Sequence, residues 1–139
     1  MSRDKLYGHV TMRKNRTEFL AFCRYLRALH PAEVRVAIVL DNFSPHLSTQ
    51  TDSRVGDWAK DNNVELVYVP FYGSWLNRIE AQFTALRYFA LDGTDHNSHA
   101  EQASMIRRYI AWRNRHAATH RRLREIVTKA ETIKRAKVA

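Results

Sequence analysis

From Lys5 to Met12 the chain alternates, with Leu6, Gly8, Val10 and Met12 set against Tyr7, His9 and Thr11, and this period of two predicts a strand. The period then lengthens to that of a helix. Phe19, Phe22, Cys23, Leu26 and Leu29 fall on one helical face, and Asn15 stands where a capping residue belongs. His30-Pro31 closes that helix, because a residue before proline avoids the helical region. Val34 to Leu40 is an almost unbroken apolar run, which predicts a central parallel strand buried on both faces. Ser48 to Asn62 reads as a helix with Val55, Trp58 and Ala59 inward, and Val64 to Val69 as a further strand stopped by Pro70. After a turn at Gly73-Ser74, a helix is expected from Ser74 to Leu91, broken by Asp92-Gly93-Thr94. Two more helices follow, from His99 to Arg115 and from Arg121 to Lys137.

Strands alternating with helices predict an α/β layered fold with parallel strands in its middle. In open sheets of that kind, ligands gather beyond the carboxyl ends of the strands. Asp41 stands there, directly after Val36-Ala37-Ile38-Val39-Leu40. Unrolling the helix after Ser74 places Leu76, Ile79, Phe83, Leu86 and Ala90 on the stripe expected to face the sheet. Asn77, Glu80, Thr84 and Arg87 form the adjoining stripe, so Glu80 lies at the border of core and solvent. Two carboxylates so placed can converge on a hard divalent cation, which prefers carboxylate oxygens and keeps several of its waters. A glutamate near a helix start is also what the helix dipole favours, so the position alone leaves a purely structural role open.

Composition narrows the choice. The chain has 139 residues, enough for one domain, and its 45% hydrophobic content fits an ordinary core. No apolar run approaches the length of a membrane span, and Met1 to Lys5 lacks the apolar stretch of a secretory signal, so a cytoplasmic location is expected. The single cysteine, Cys23, excludes an internal disulfide and reads as a small core residue. Ser44 and Ser74 lack the surroundings of a hydrolase nucleophile.

The net charge of +9 is concentrated at one end. Residues 1 to 106 hold 12 basic and 12 acidic side chains, whereas residues 107 to 139 hold 11 basic ones against Glu125 and Glu131. Such a segment attracts a polyanion with strong salt dependence, which makes nucleic acid the expected partner.

Two segments carry a resemblance. Val39-Leu40-Asp41-Asn42 with His46, and Trp75-Leu76-Asn77-Arg78-Ile79-Glu80, are similar to the catalytic motifs of DDE-type insertion-sequence transposases related to the mariner group. The 38 residues between Asp41 and Glu80 are close to the interval of that group, and Tyr109 to His116 resembles its C-terminal helix. Arg78 stands where many relatives have proline, and Gly73-Ser74 where they have Ser-Pro, which marks a subgroup variant.

The resemblance implies a ribonuclease H-like fold in which carboxylates, here Asp41 and Glu80, hold magnesium or manganese for phosphodiester cleavage and strand transfer. DNA contacts are then expected from Asn42, His46, Tyr72, Trp75, Asn77 and Arg78 near the site, and from Arg121, Arg122 and Arg124 in the tail. His46 could equally order its own loop. Tyr72 and Trp75 have the chemistry to stack on an unpaired base, with core packing an equal alternative for Trp75.

One carboxylate of the family's three has no match. The first belongs on the opening strand of a three-stranded start, and the Lys5–Met12 segment corresponds to the third strand. Asp4 precedes that segment and is the only acid before Glu18. The expected organisation is an incomplete, N-terminally truncated ribonuclease H-like domain over residues 1–116, followed by a basic helical tail over 117–139. On this reading the chain is the C-terminal part of a transposase catalytic domain, weak or inactive alone. The alternatives are a non-catalytic DNA-binding module, or an assembly subunit that meets an upstream transposase fragment or a second copy through its open sheet edge.

Overall fold

A computed structural model describes residues 5–70, 79–93, 95, 98–116, 119 and 121–136, with the backbone alone at 121–123 and 134–136. The chain forms two compact units, one of residues 11–77 and the other of residues 1–10 with 78–139. Among the described residues no helix is long and apolar enough to cross a membrane.

The first unit is a mixed α/β arrangement. Helix α1 (Arg16–Ala28) starts at Asn15, whose side chain accepts from the Glu18 N–H at 2.9 Å, as expected of a cap. Strand β1 (Val36–Leu40) and strand β2 (Val64–Tyr68) pair in parallel, with Val36 opposite Val64 and Leu40 opposite Tyr68. Between them lie a single 3-10 turn (Ser44–His46) and helix α2 (Arg54–Asp61). The connection back into β2 passes through Asn63, which adopts a positive φ of 55°, a region asparagine tolerates better than most residues. Leu20, Cys23, Leu40, Val55, Ala59, Val64 and Val69 form the buried apolar set of this unit.

Several expectations are corrected here. The sheet has two strands among the described residues, so β1 is not central. Nor is it buried on both faces: Ala37 and Val39 are exposed, as are Glu65 and Val67 beside them, while Leu40 and Val64 lie on the covered face. The inward face of α1 is centred on Leu20, Cys23 and Arg27, leaving Leu29 exposed. Arg27 is buried because its guanidinium donates to the carbonyls of Val34 and Pro31, which satisfies the charge and ties down the loop into β1. Helix α2 begins six residues later than expected, at Arg54, because Thr49 and Asp52 close a turn on each other's backbone first.

The second unit is helical. Helix α3 (Ile79–Leu86) runs into a π turn (Arg87–Leu91) that ends before Gly93, at a φ of 76°. Helix α4 (His99–His116) starts beside Ser98, whose hydroxyl accepts from the Glu101 N–H, and helix α5 (Arg121–Ala136) packs on α3. The stripe expected to face the core is rotated. Ala81, Ala85 and Ala90 are buried, whereas Ile79 and Phe83 are exposed. Small side chains allow close helix approach, and Ala130 of α5 is buried as well.

Residues 5–12 form no strand. A strand needs a neighbour's backbone, and Leu6 finds a side chain instead. The Asn114 amide accepts from the Leu6 N–H and donates to the Leu6 carbonyl, both at 2.7 Å, reproducing one rung of a ladder. Gly8 permits the close approach to α4, since a Cβ there would lie 3.0 Å from Ile110 Cδ1.

Candidate functional site

The parallel strands end together. The Val69 N–H donates to the Leu40 carbonyl at 2.9 Å, and the Asn42 side-chain amide donates to the Val69 carbonyl at 2.8 Å. Asn42 therefore fastens the carboxyl ends of β1 and β2 to one another. Asp41 sits between these two attachments, its side chain half-exposed.

The Asp41 carboxylate is used on one side. Its Oδ1 accepts from His46 Nδ1–H at 2.6 Å and from the Phe43 N–H at 3.2 Å. An ionised carboxylate can only accept, so the proton of this contact belongs on Nδ1. Among the described residues Oδ2 carries no hydrogen bond.

His46 is more enclosed than its partner, with 23% of its side chain exposed against 51% for Asp41. Its ring lies against Phe19 of α1, with centroids 4.3 Å apart, and edge-on to Phe43 at 5.4 Å. The Tyr68 hydroxyl donates to the His46 carbonyl at 2.8 Å, and the His46 N–H donates to the Phe43 carbonyl at 2.8 Å.

Arg16 bolts this loop to the start of α1. Its Nε donates to the Leu47 carbonyl at 3.1 Å, its Nη2 to the Ser44 carbonyl at 3.2 Å, and its Nη1 to Asp52 Oδ2 at 2.6 Å. Asp52 also accepts from Arg54 Nε and Nη2, both at 2.8 Å. The Arg54 and Arg16 guanidiniums hold the Asp52 carboxyl well below the usual carboxylate range. Cys23 is buried, and burial pushes its thiol up to about 11, which makes it a core residue and not a nucleophile.

Of the other expected site residues, Glu80 lies in the first turn of α3, in the second unit, and is partly buried. Arg121 and Arg122 open α5, and Arg124 is exposed one turn on. Arg113 is 3% exposed, which removes it from the basic surface that the sequence suggests. Asp4, Tyr72, Trp75, Asn77 and Arg78 lie outside the described residues, as does the turn at Gly73-Ser74. The structure thus brings Asp41, Asn42 and His46 together in one unit.

The chemistry available at Asp41 is that of a hard oxygen donor. Among the described residues no three His, Cys, Asp or Glu side chains gather as a metal cluster. The Oδ2 atom on its own fits one ligand position of a magnesium-type ion, which retains most of its waters.

A comparison with protein families gives a match over residues 2–103 to the DDE superfamily endonuclease model. The chain belongs to this family. A curated relative, the insertion element IS630 uncharacterized 39 kDa protein of Shigella sonnei, is 28% identical over 74 residues. That alignment covers 52% of this chain and 20% of the relative, so the chain spans about one fifth of the relative's length. No solved structure matches.

For this DDE chain, sequence reasoning missed the residues that hold the loop. Arg16 sits at a helix start, where acidic residues are the expected ones, and that anomaly was its only signal. Tyr68 and Asp52 gave none, because their partners are a backbone carbonyl and two arginines brought together by folding.

Proposed function

We propose that this chain carries two of the carboxylates of a ribonuclease H-like DDE transposase domain, Asp41 and Glu80, for phosphodiester cleavage and strand transfer at element ends. The observation that carries the reading is the family match over both motifs. It is supported by a carboxylate at the end of a parallel strand with one oxygen engaged and the other without a hydrogen bond among the described residues. Residues 1–116 are proposed as the ribonuclease H-like part and 117–139 as a basic tail.

Magnesium or manganese bound at these carboxylates would supply charge stabilisation for the attacking and leaving oxygens of an in-line displacement. The residues of the chain orient and neutralise. Asp41 and Glu80 would each supply a carboxylate to hold the cation. DNA is the proposed partner. Arg121, Arg122 and Arg124 give the tail its phosphate-binding character, with Arg78, Asn77, Tyr72 and Trp75 beside Glu80 in sequence completing the contacts. Water is the nucleophile for cleavage, and a liberated 3′-hydroxyl the nucleophile for joining.

The test is a nicking assay on a duplex carrying an insertion-element end, with the chain alone and with an upstream transposase segment supplied in trans. Nicking in the mixture that needs magnesium and is lost in Asp41→Asn and Glu80→Gln supports the reading. Nicking indifferent to both substitutions refutes it. A second reading, a non-catalytic DNA-binding module, is favoured by the C-terminal charge. It predicts binding to duplex DNA that Asp41→Asn leaves unchanged, with no nicking in any mixture.

A further inference from the structure

We propose that His46 is a positioning residue for the Asp41 carboxylate, and that it acts through Nδ1 and not as a contact to phosphate. The proposal rests on the reading of Asp41 as a cation ligand and specifies how that ligand is aimed.

The geometry is asymmetric. Both hydrogen bonds to Asp41 fall on Oδ1, from His46 Nδ1 at 2.6 Å and from the Phe43 N–H at 3.2 Å. Oδ2 carries no hydrogen bond among the described residues and is left to act as the donor atom. A half-exposed aspartate on a loop would otherwise rotate about its χ angles and present either oxygen. Two donors on one oxygen remove that freedom, as partners of ligating side chains commonly do in metal sites.

His46 can impose an orientation because its own is imposed. The ring is held between Phe19 and Phe43, with centroids at 4.3 and 5.4 Å. Its backbone is fixed on both sides: its carbonyl accepts from the Tyr68 hydroxyl, and its N–H donates to Phe43. Arg16 holds the carbonyls of Ser44 and Leu47 that flank it. Helix α1 thus holds the ring through Phe19, and strand β2 holds the backbone beneath it through Tyr68. The Nδ1 edge is spent on Asp41, so of the two ring nitrogens only Nε2 is left for a further partner, and DNA affinity reads that edge.

The test uses the full 139-residue chain with Mn2+ as the probe, its free concentration read by electron paramagnetic resonance, and duplex DNA affinity measured in parallel. His46→Ala is expected to weaken Mn2+ binding by about tenfold or more. His46→Asn places an amide N–H near the position of Nδ1 and is expected to recover most of the loss. His46→Gln, whose amide reaches further, is not. DNA affinity should be the same for all three. A wild-type Mn2+ affinity in His46→Ala, with that of Asp41→Asn lost, overturns the proposal and leaves the Asp41 reading standing. Retained affinity in Asp41→Asn, or no Mn2+ binding by the wild type, overturns the Asp41 reading and the proposal with it. Lost DNA affinity in His46→Ala with unchanged Mn2+ binding identifies a phosphate contact instead. Should His46→Ala unfold, 15N spectra of the wild-type imidazole still decide: the proton must reside on Nδ1, and a neutral ring protonated at Nε2 overturns the proposal.

Discussion

Replacing Arg16 by methionine removes the bolt between helix α1 and the loop that carries His46, while keeping an unbranched apolar stem. Three hydrogen bonds disappear, and they are not equivalent. Asp52 retains Arg54 at 2.8 Å and lies near solvent, so its share adds little. Of the bonds to the carbonyls of Ser44 and Leu47, the first leaves an acceptor that keeps the Leu47 N–H at 3.2 Å, and the second leaves one with no other donor among the described residues. Each contributes about 1 kcal/mol net, so the substitution should destabilise the chain by about 2 kcal/mol. Urea unfolding followed by far-UV circular dichroism measures this directly. Hydrogen exchange adds the location: the N–H groups of His46 and Leu47, bonded to Phe43 and Ser44, should lose protection before those of β1. Arg54→Met is the control and should have a much smaller effect, because its bonds are exposed and go to Asp52 and Thr17. An unchanged urea midpoint for Arg16→Met, or a larger loss for Arg54→Met, would refute the assignment of Arg16 as the anchor of the loop.

Three further outcomes are expected. Because Arg54 and Arg16 lower the folded-state pKa of Asp52, its contribution to stability is fully present above the ordinary value of 3.8. That contribution fades as pH falls below this value; a urea midpoint in Asp52→Asn that keeps the wild-type acid slope would contradict it. Cys23, with its thiol pushed up to about 11 by burial, should resist a disulfide reagent near neutral pH in the native chain and react fully in urea. Rapid native labelling would mean the core around α1 opens. Asn114→Ala should release residues 5–10, seen as loss of protection at the Leu6 amide and earlier proteolysis there, and unchanged protection would show that another group holds the segment.

What the sequence made legible was local. The Asn15 cap, the proline stop after α1, the two short strands and the Asp92-Gly93 break each depend on neighbours within a few positions, and each appears where the pattern puts it. The failures have tertiary causes. Alternation from Lys5 to Met12 has the period of a strand, but a ladder needs a second backbone, and the Asn114 amide supplies the only rung described. The apolar run before Asp41 is as continuous as that of a doubly covered strand, yet Ala37 and Val39 face outward. Helical periodicity located an apolar stripe on α3 but not its rotation: Ala81 and Ala85 are the buried residues of the helix, and Ile79 and Phe83 are exposed. Asp41 and Glu80 were both visible as motif residues. The hydrogen bond from His46 was not, since a five-residue separation says nothing of which ring nitrogen faces which oxygen.

The central claim is that Asp41 and Glu80 serve a bound divalent cation. Iron(II) substituted for magnesium, with ascorbate and peroxide, cleaves a polypeptide backbone beside the ligands that hold the metal. The account predicts cuts next to Asp41 and next to Glu80, both suppressed by excess magnesium and both lost in Asp41→Asn. Cuts at neither position, or cuts that magnesium does not suppress, would contradict it.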